Sequence, residues 1–266
     1  MVHYIFSDKT GTLTQNIMEF KMFSAGDVTY GLKNSKLKDS YPPGVTNVCF
    51  EDPTFDAHYK DPNCANYSNL CDLIDCLGLC HTVIAERKKD KDGNDYVAYN
   101  ASSPDELALV NGARYLGFAF RERDEEGDMV IDIKRPGLDA EVKKFRLLNL
   151  IEFDSARKRM TVVVRTPENK ILVICKGADS IIEKRLRSGQ KNLKVTQGFL
   201  ESYATIGLRT LLIAKKELKE DWYENWNKKY IAAMTSVNKE KEMAVVSEEL
   251  ENDFELVGST AIEDKL

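Results

Sequence analysis

Residues 8–14 read Asp8-Lys9-Thr10-Gly11-Thr12-Leu13-Thr14 and follow a short apolar run, Tyr4-Ile5-Phe6. The order predicts a strand that ends in a carboxylate, bends through a glycine and then offers three hydroxyls. In open α/β sheets, ligands gather outside the carboxyl ends of the strands. A carboxylate at such a strand end can attack phosphorus and hold it as an aspartyl-phosphate, one of the covalent strategies of catalysis. The alternative is a plain strand end followed by a polar turn.

Composition sets bounds around that stretch. The chain has 266 residues, enough for one large domain or two smaller ones. Hydrophobic residues make up 42 % and charged residues 30 %, an ordinary globular balance. A net charge of −5 leaves no broad cationic surface, so neither nucleic acid nor anionic lipid is an expected direct ligand. No apolar run approaches the roughly 18 residues that span a bilayer, and no signal peptide precedes Asp8. The six cysteines are expected as reduced thiols, since nothing marks secretion. Cys76 and Cys80 fall one helical turn apart beside Leu73 and Leu77, which reads as core packing. The spacings of Cys64, Cys71, Cys76 and Cys80 lack the paired rhythm of a structural zinc site.

Along the chain, residues 1–23 read as a strand, the polar turn and an amphipathic exit. Residues 24–66 are rich in Gly, Pro, Asn, Asp and Ser and read as a long, loosely ordered excursion, with a short strand at 45–50. Helical spacing runs through Leu70, Leu73, Ile74, Leu77 and Val83. A hairpin turns at Asp92-Gly93-Asn94. Helices are expected from Ser103 to about Gly117, at 178–187, at 195–206 and at 221–234. Strands are expected at 118–121, 129–133, 142–152, 160–165, 171–175, 208–215 and 254–262. Trp222, Trp226 and Tyr230 recur every four residues and read as a packing stripe. Residues 235–250 read as charged and exposed.

Four further clusters carry chemistry. Phe153-Asp154-Ser155-Ala156-Arg157-Lys158-Arg159-Met160 joins an aromatic, a hydroxyl and three cations just before a strand. Phe153 is either a stacking face for adenine or a core side chain beside a solvated basic turn. Lys176-Gly177-Ala178-Asp179 ends a strand and opens a helix; Lys176 either meets a base or phosphate or belongs to an ordinary turn. Ser103 and Glu106 form a capping box with Pro104 at the first helical position. Glu106 then only caps its helix, or also accepts from an adenine amino group. Arg209 stands at a strand start, where it reaches phosphates or pairs with a surface carboxylate. No Gly-x-x-x-x-Gly-Lys-Ser/Thr loop and no Gly-x-Gly-x-x-Gly occurs, which argues against P-loop and dinucleotide folds.

The joint order of these pieces resembles the type-IV P-type ATPases, the phospholipid flippases. The pieces are residues 8–16, Ser103 to Glu106, Phe153 to Met160, Lys176 to Asp179, Gly207 to Leu211 and Thr260 to Leu266. The resemblance implies an α/β (α+β) fold: an antiparallel sheet flanked by helices, forming a nucleotide-binding domain over 24–253. That domain is inserted in a partial Rossmann-like phosphorylation domain, whose flanks are 1–23 and 254–266. It also implies ATP and Mg2+. Asp8 becomes the phosphate acceptor, and Asp8 and Thr10 the metal contacts. Lys9, Thr10, Glu106, Phe153, Ser155, Lys158, Lys176, Gly177, Arg209 and Thr210 become the nucleotide contacts.

In the wider superfamily a second aspartate often lies two residues after the nucleophile and hastens loss of the phosphate. Here that residue is Thr10, which cannot act as a general base near neutral pH and so favours a long-lived intermediate. The resemblance further implies a cytosolic domain of an integral membrane protein, monomeric by itself, with phospholipid as cargo and room for an accessory subunit. The chain stops before the family's Thr-Gly-Asp and Gly-Asp-Gly-x-Asn-Asp motifs, so phosphorylation by this chain alone is not expected. Two rival readings are a cation-transporting P-type ATPase and a nucleotide-binding module without catalysis.

Overall fold

A computed structural model describes residues 17–35 and 41–265. The elements, in chain order, are β1 (Met18–Ala25), β2 (Val28–Tyr30), α1 (Pro53–Lys60), α2 (Tyr67–Leu79), β3 (Ile84–Lys89), β4 (Asp95–Asn100) and α3 (Pro104–Tyr115). They continue with β5 (Phe118–Arg123), β6 (Met129–Ile133), β7 (Glu141–Asp154), β8 (Arg159–Arg165), β9 (Ile171–Gly177), α4 (Asp179–Ile182) and α5 (Leu193–Thr205). The last are β10 (Arg209–Leu218), α6 (Glu220–Thr235), α7 (Lys239–Leu250) and β11 (Glu255–Asp264).

Among the described residues nine strands form one sheet, in the order β2-β1-β11-β10-β9-β8-β7-β6-β5, and β3 and β4 form a separate hairpin. Every ladder in the large sheet is antiparallel. This is the expected antiparallel sheet flanked by helices. The described parts of 1–23 and 254–266 meet within it: Met18 faces Asp264 and Phe23 faces Thr260, with a shift of register between Phe20 and Met22.

The central strands are apolar on both faces because helices cover both. Val162 and Val164 of β8, Ile174 of β9 and Ile213 of β10 point to one side, packing with Leu70, Leu73 and Ile74 of α2 and Ala108 and Leu109 of α3. Their neighbours Val163, Val173, Cys175, Leu212 and Ala214 point to the other. There they meet Tyr223, Trp226 and Tyr230 of α6, Val246 and Leu250 of α7 and Leu200 of α5. The period of two along each strand sorts the residues between the two cores.

Three segments differ from the sequence reading. The excursion at 24–66 contains α1, started by Asp52, whose Oδ1 accepts from the N–H of Thr54 (2.7 Å) and Phe55 (3.1 Å), with Pro53 at the first turn. The strand expected at 45–50 is a single parallel bridge between Phe20 and Val48. Residues 239–250, read as exposed, are helix α7. Met243, Val246 and Leu250 form a narrow apolar stripe among charges, and Trp226 Nε1 donates to the Val246 carbonyl at 2.9 Å. The helix expected at 178–187 is instead the short α4 followed by a 3₁₀ turn over Glu183–Arg185.

The tryptophan stripe is partly as read: Trp226 and Tyr230 are buried, while Trp222 is half-exposed and stacks on Trp226. Cys76 and Cys80 are buried in the core, and burial pushes the Cys80 thiol up to about 11.

Candidate functional site

A cavity of about 640 Å³ opens where the end of β9, the start of β10, the first turn of α3 and the β7–β8 turn converge. Its floor is an ion pair. Lys176 Nζ lies 3.3 Å from Glu106 Oε1, and both side chains are buried. Glu106 is directed there by its helix start. Ser103 Oγ accepts from the Glu106 N–H at 3.3 Å, the N-cap half of the expected capping box, and the Glu106 carboxylate faces the cavity. The other oxygen, Oε2, accepts from Thr82 Oγ1 at 2.7 Å.

One wall is Arg209. Its guanidinium lies 3.2 Å from Asp105 Oδ2 through Nη1 and 3.2 Å from Asp264 Oδ2 through Nη2. Burial raises the Asp105 carboxyl above its ordinary range, against the opposite pull of Arg209. Thr210 and Gly177 also line the cavity. At its mouth stands Phe153, 61 % exposed, which rules out the core reading of that ring.

Beneath the floor lies His81. It is fully buried, with Nε2 3.0 Å from the Gly78 carbonyl and Nδ1 accepting from the Val83 N–H at 3.1 Å. Burial lowers its pKa well below the ordinary value, and Lys176 and Arg123 push it the same way. His81 is therefore neutral and fully used by the backbone.

Glu106, Phe153, Lys176, Gly177, Arg209 and Thr210 are thus brought together. Ser155 and Lys158 are not among the lining residues; both are exposed in the β7–β8 turn. Arg157 and Arg159 turn away to the carboxylate of Glu251, just after α7. Asp8, Lys9 and Thr10, with the magnesium contacts expected of Asp8 and Thr10, lie outside the described residues. Thr82, Asp105 and Glu152 were not selected from the sequence, although all three line the cavity. Asp105 had a signal, being the neighbour of Glu106 in the capping box. Thr82 had none, because it arrives from the link between α2 and β3.

A second cavity of about 610 Å³ holds none of the sequence-selected residues; two of its polar side chains are engaged in the fold, while the buried Tyr59 hydroxyl has no hydrogen-bond partner among the described residues. Asp52 caps α1, and Arg114 donates to the carbonyls of Pro43, Gly44 and Val97. Among the described residues the one metal-sized carboxylate group, Asp124, Glu126 and Asp128, is an exposed turn closed by Lys144 at 2.6 Å from Asp124.

The first cavity offers a planar aromatic face at its mouth, a cation with a carboxylate on its floor and an arginine on its wall. A flat base can lie on Phe153 and donate an amino group to Glu106, while anionic groups lie toward Arg209. The family model for the P-type ATPase cytoplasmic domain N matches residues 69–266. The chain belongs to the P-type ATPase family. This P-type ATPase domain is similar over its whole length to phospholipid-transporting ATPases. It is 38 % identical over 282 residues to mouse phospholipid-transporting ATPase FetA, covering 100 % of this chain and 22 % of that protein. It is 41 % identical over 278 residues to human phospholipid-transporting ATPase ID, with coverage of 100 % and 22 %. It is 38 % identical over 318 residues to phospholipid-transporting ATPase DNF1 of Saccharomyces cerevisiae, with coverage of 100 % and 20 %. The chain spans about a fifth of the length of these relatives. No described helix of this P-type ATPase domain is long and apolar enough to cross a membrane.

Proposed function

We propose that the cavity between Phe153 and Lys176 binds ATP, and that the chain is the ATP-binding part of a P-type ATPase that moves phospholipid across a membrane. The observation that carries this reading is the buried Lys176–Glu106 pair at 3.3 Å on the floor of a cavity whose mouth is an exposed phenylalanine. A core has little use for such a pair, since desolvating two charges costs several kcal/mol each. The names of the full-length relatives favour lipid over cation cargo.

In this reading the adenine stacks on Phe153 and its amino group donates to Glu106. Arg209 exchanges part of its pairing with Asp105 and Asp264 for phosphate oxygens. Ser155 and Lys158 reach the nucleotide only if the β7–β8 turn folds inward. Magnesium would rest on Asp8 and Thr10, because Glu106, Asp105 and Asp264 are each already held by a cation. It would supply charge neutralisation on the phosphates. The Asp8 carboxylate would attack the terminal phosphorus, with ADP as leaving group, and water would later cleave the acyl phosphate. The domain would lie on the cytosolic side of the membrane, as a monomer or against an accessory subunit.

Calorimetric titration of the chain tests the site. Saturable ATP binding is expected with a dissociation constant of about 0.1–10 mM, near −4 kcal/mol at about 1 mM. No saturation by about 20 mM would overturn the assignment. In the full-length protein, loss of ATP-driven lipid movement in Asp8→Asn tests the remainder.

A further inference from the structure

We infer that Glu251, at the end of α7 and outside the cavity, is the positioning residue that holds Phe153 in place for the nucleotide. The inference rests on the proposed ATP site.

Glu251 is 0 % exposed, and both of its carboxylate oxygens are occupied by donors from one short stretch of chain. Oε1 accepts from Thr161 Oγ1 at 2.6 Å and from Arg157 Nη2. Oε2 accepts from Arg159 Nε at 2.7 Å and lies 2.6 Å from Arg159 Nη2. Arg157 lies in the β7–β8 turn and Arg159 opens β8, while Phe153 stands at the end of β7 on the other limb.

The path to Phe153 is short. Arg157 holds Glu251 through Nη2 and donates through Nη1 to the carbonyl of Glu152 at 3.2 Å. Glu152 immediately precedes Phe153. On the other side Asp154 Oδ1 accepts from the N–H of Ala156 (2.8 Å) and of Arg157 (3.1 Å). The backbone just before Phe153 is thus tied to the Arg157 guanidinium and through it to a buried carboxylate, while the Asp154 side chain just after it is tied to the backbone of the turn that carries Arg157. The ring has no such hold of its own, being mostly in solvent. Its place over the cavity is set by the turn.

The same helix end also reaches the segment that follows α4. Glu248 Oε1 lies 2.5 Å from Arg159 Nη2 and 2.6 Å from Arg185 Nη2, just beyond α4. Lys158 is strapped across as well, its carbonyl accepting from the Ala178 N–H at 3.1 Å. A stack held by buried charge-assisted bonds stays put without closing on the ligand, which lowers the ordering cost of binding.

The test compares wild type, Glu251→Gln, Phe153→Ala and the double variant, each titrated with ATP and with inorganic tripolyphosphate, which has no base to stack. Glu251→Gln is expected to raise the ATP dissociation constant about tenfold, the size of one lost base stack. Tripolyphosphate binding should stay within about twofold, because Arg209 and Lys176 do not touch Glu251. In the Phe153→Ala background, Glu251→Gln should add no further loss. An unchanged ATP constant, or losses that multiply in the double variant, overturns the positioning role while the ATP site stands. Absence of ATP binding by wild type overturns the site and this role together. If Glu251→Gln fails to fold, Arg157→Gln carries the test, since it cuts the link from Glu251 to Glu152 and leaves Arg159 and Thr161 on Glu251. The same adenine-specific loss is expected, and none would overturn the inference.

Discussion

Lys176 Nζ and Glu106 Oε1 lie 3.3 Å apart with only 8 % of either side chain exposed, joining the end of β9 to the first turn of α3. Two long side chains from elements 70 residues apart meet at the bottom of a cavity. Their attraction must offset the loss of water from both, which a buried pair does only with help from further hydrogen bonds. Thr82 supplies one such bond to Glu106.

Breaking the pair from one side strands a charge. Lys176→Met leaves Glu106 buried beside Thr82 alone, and a stability loss of about 3–5 kcal/mol is expected in urea unfolding. Lys176→Met with Glu106→Gln removes both charges and should recover most of that loss. Nucleotide binding should not recover with it. A double variant that binds ATP like wild type would make the pair purely structural.

Phe153→Ala should separate binding from stability in the opposite way. The ring is mostly exposed, so the melt is expected to move by no more than about 0.5 kcal/mol, as for other surface changes. ATP affinity should fall by about 1–3 kcal/mol, the value of a stacked base. A large fall in melting temperature would return Phe153 to the core.

The pieces of this site were legible wherever a local rule named them. Ser103-Pro104-Asp105-Glu106 announces a helix start by capping chemistry alone, and Lys176-Gly177 a strand end, so Glu106 and Lys176 could be picked out one at a time. That they would touch could not be read, because their meeting depends on β9 and α3 packing at long range. The partners of the basic run at 157–159 were hidden for the same reason: Arg157 and Arg159 pair with Glu251 just after α7, and Arg159 also with Glu248 of α7. Helix α7 escaped notice because charges surround its stripe of Met243, Val246 and Leu250. Helix α1 was recoverable: Asp52-Pro53 is a cap followed by a first-turn proline, hidden among turn-forming residues.

Gly177 has a steric reason. A Cβ there would stand 2.5 Å from the Lys158 carbonyl oxygen and 2.7 Å from Arg159 Cβ. The oxygen cannot yield easily, since it accepts the Ala178 N–H. Gly177→Ala should therefore push the β7–β8 turn outward, costing about 1–3 kcal/mol in a thermal or urea melt. Because the turn carries Phe153, ATP affinity should fall as well. An unaltered affinity in a destabilised variant would show that the turn can shift without moving the ring.

His81 should leave a mark on the pH dependence of stability. The Val83 N–H occupies Nδ1, so the neutral ring carries its proton on Nε2, donated to Gly78. Charging the ring would break the bond from Val83 and place a cation in a dry site facing Lys176 and Arg123. Burial therefore holds the folded pKa well below the value of about 6.5 that the unfolded chain retains. The sign follows. Below about pH 6.5 the unfolded state binds a proton that the folded state refuses, so stability is full above that pH and falls as the pH drops. For one proton the slope is at most about 1.4 kcal/mol per pH unit. His81→Gln removes the titration, so its unfolding free energy should fall less steeply than that of wild type between about pH 6.5 and pH 5. Any constant cost of the substitution shifts the whole curve and leaves this difference in slope intact. Urea unfolding at half-unit steps of pH measures it. Parallel curves for the two proteins would mean that His81 protonates as readily folded as unfolded, and that the floor of the site is wetter than its geometry shows.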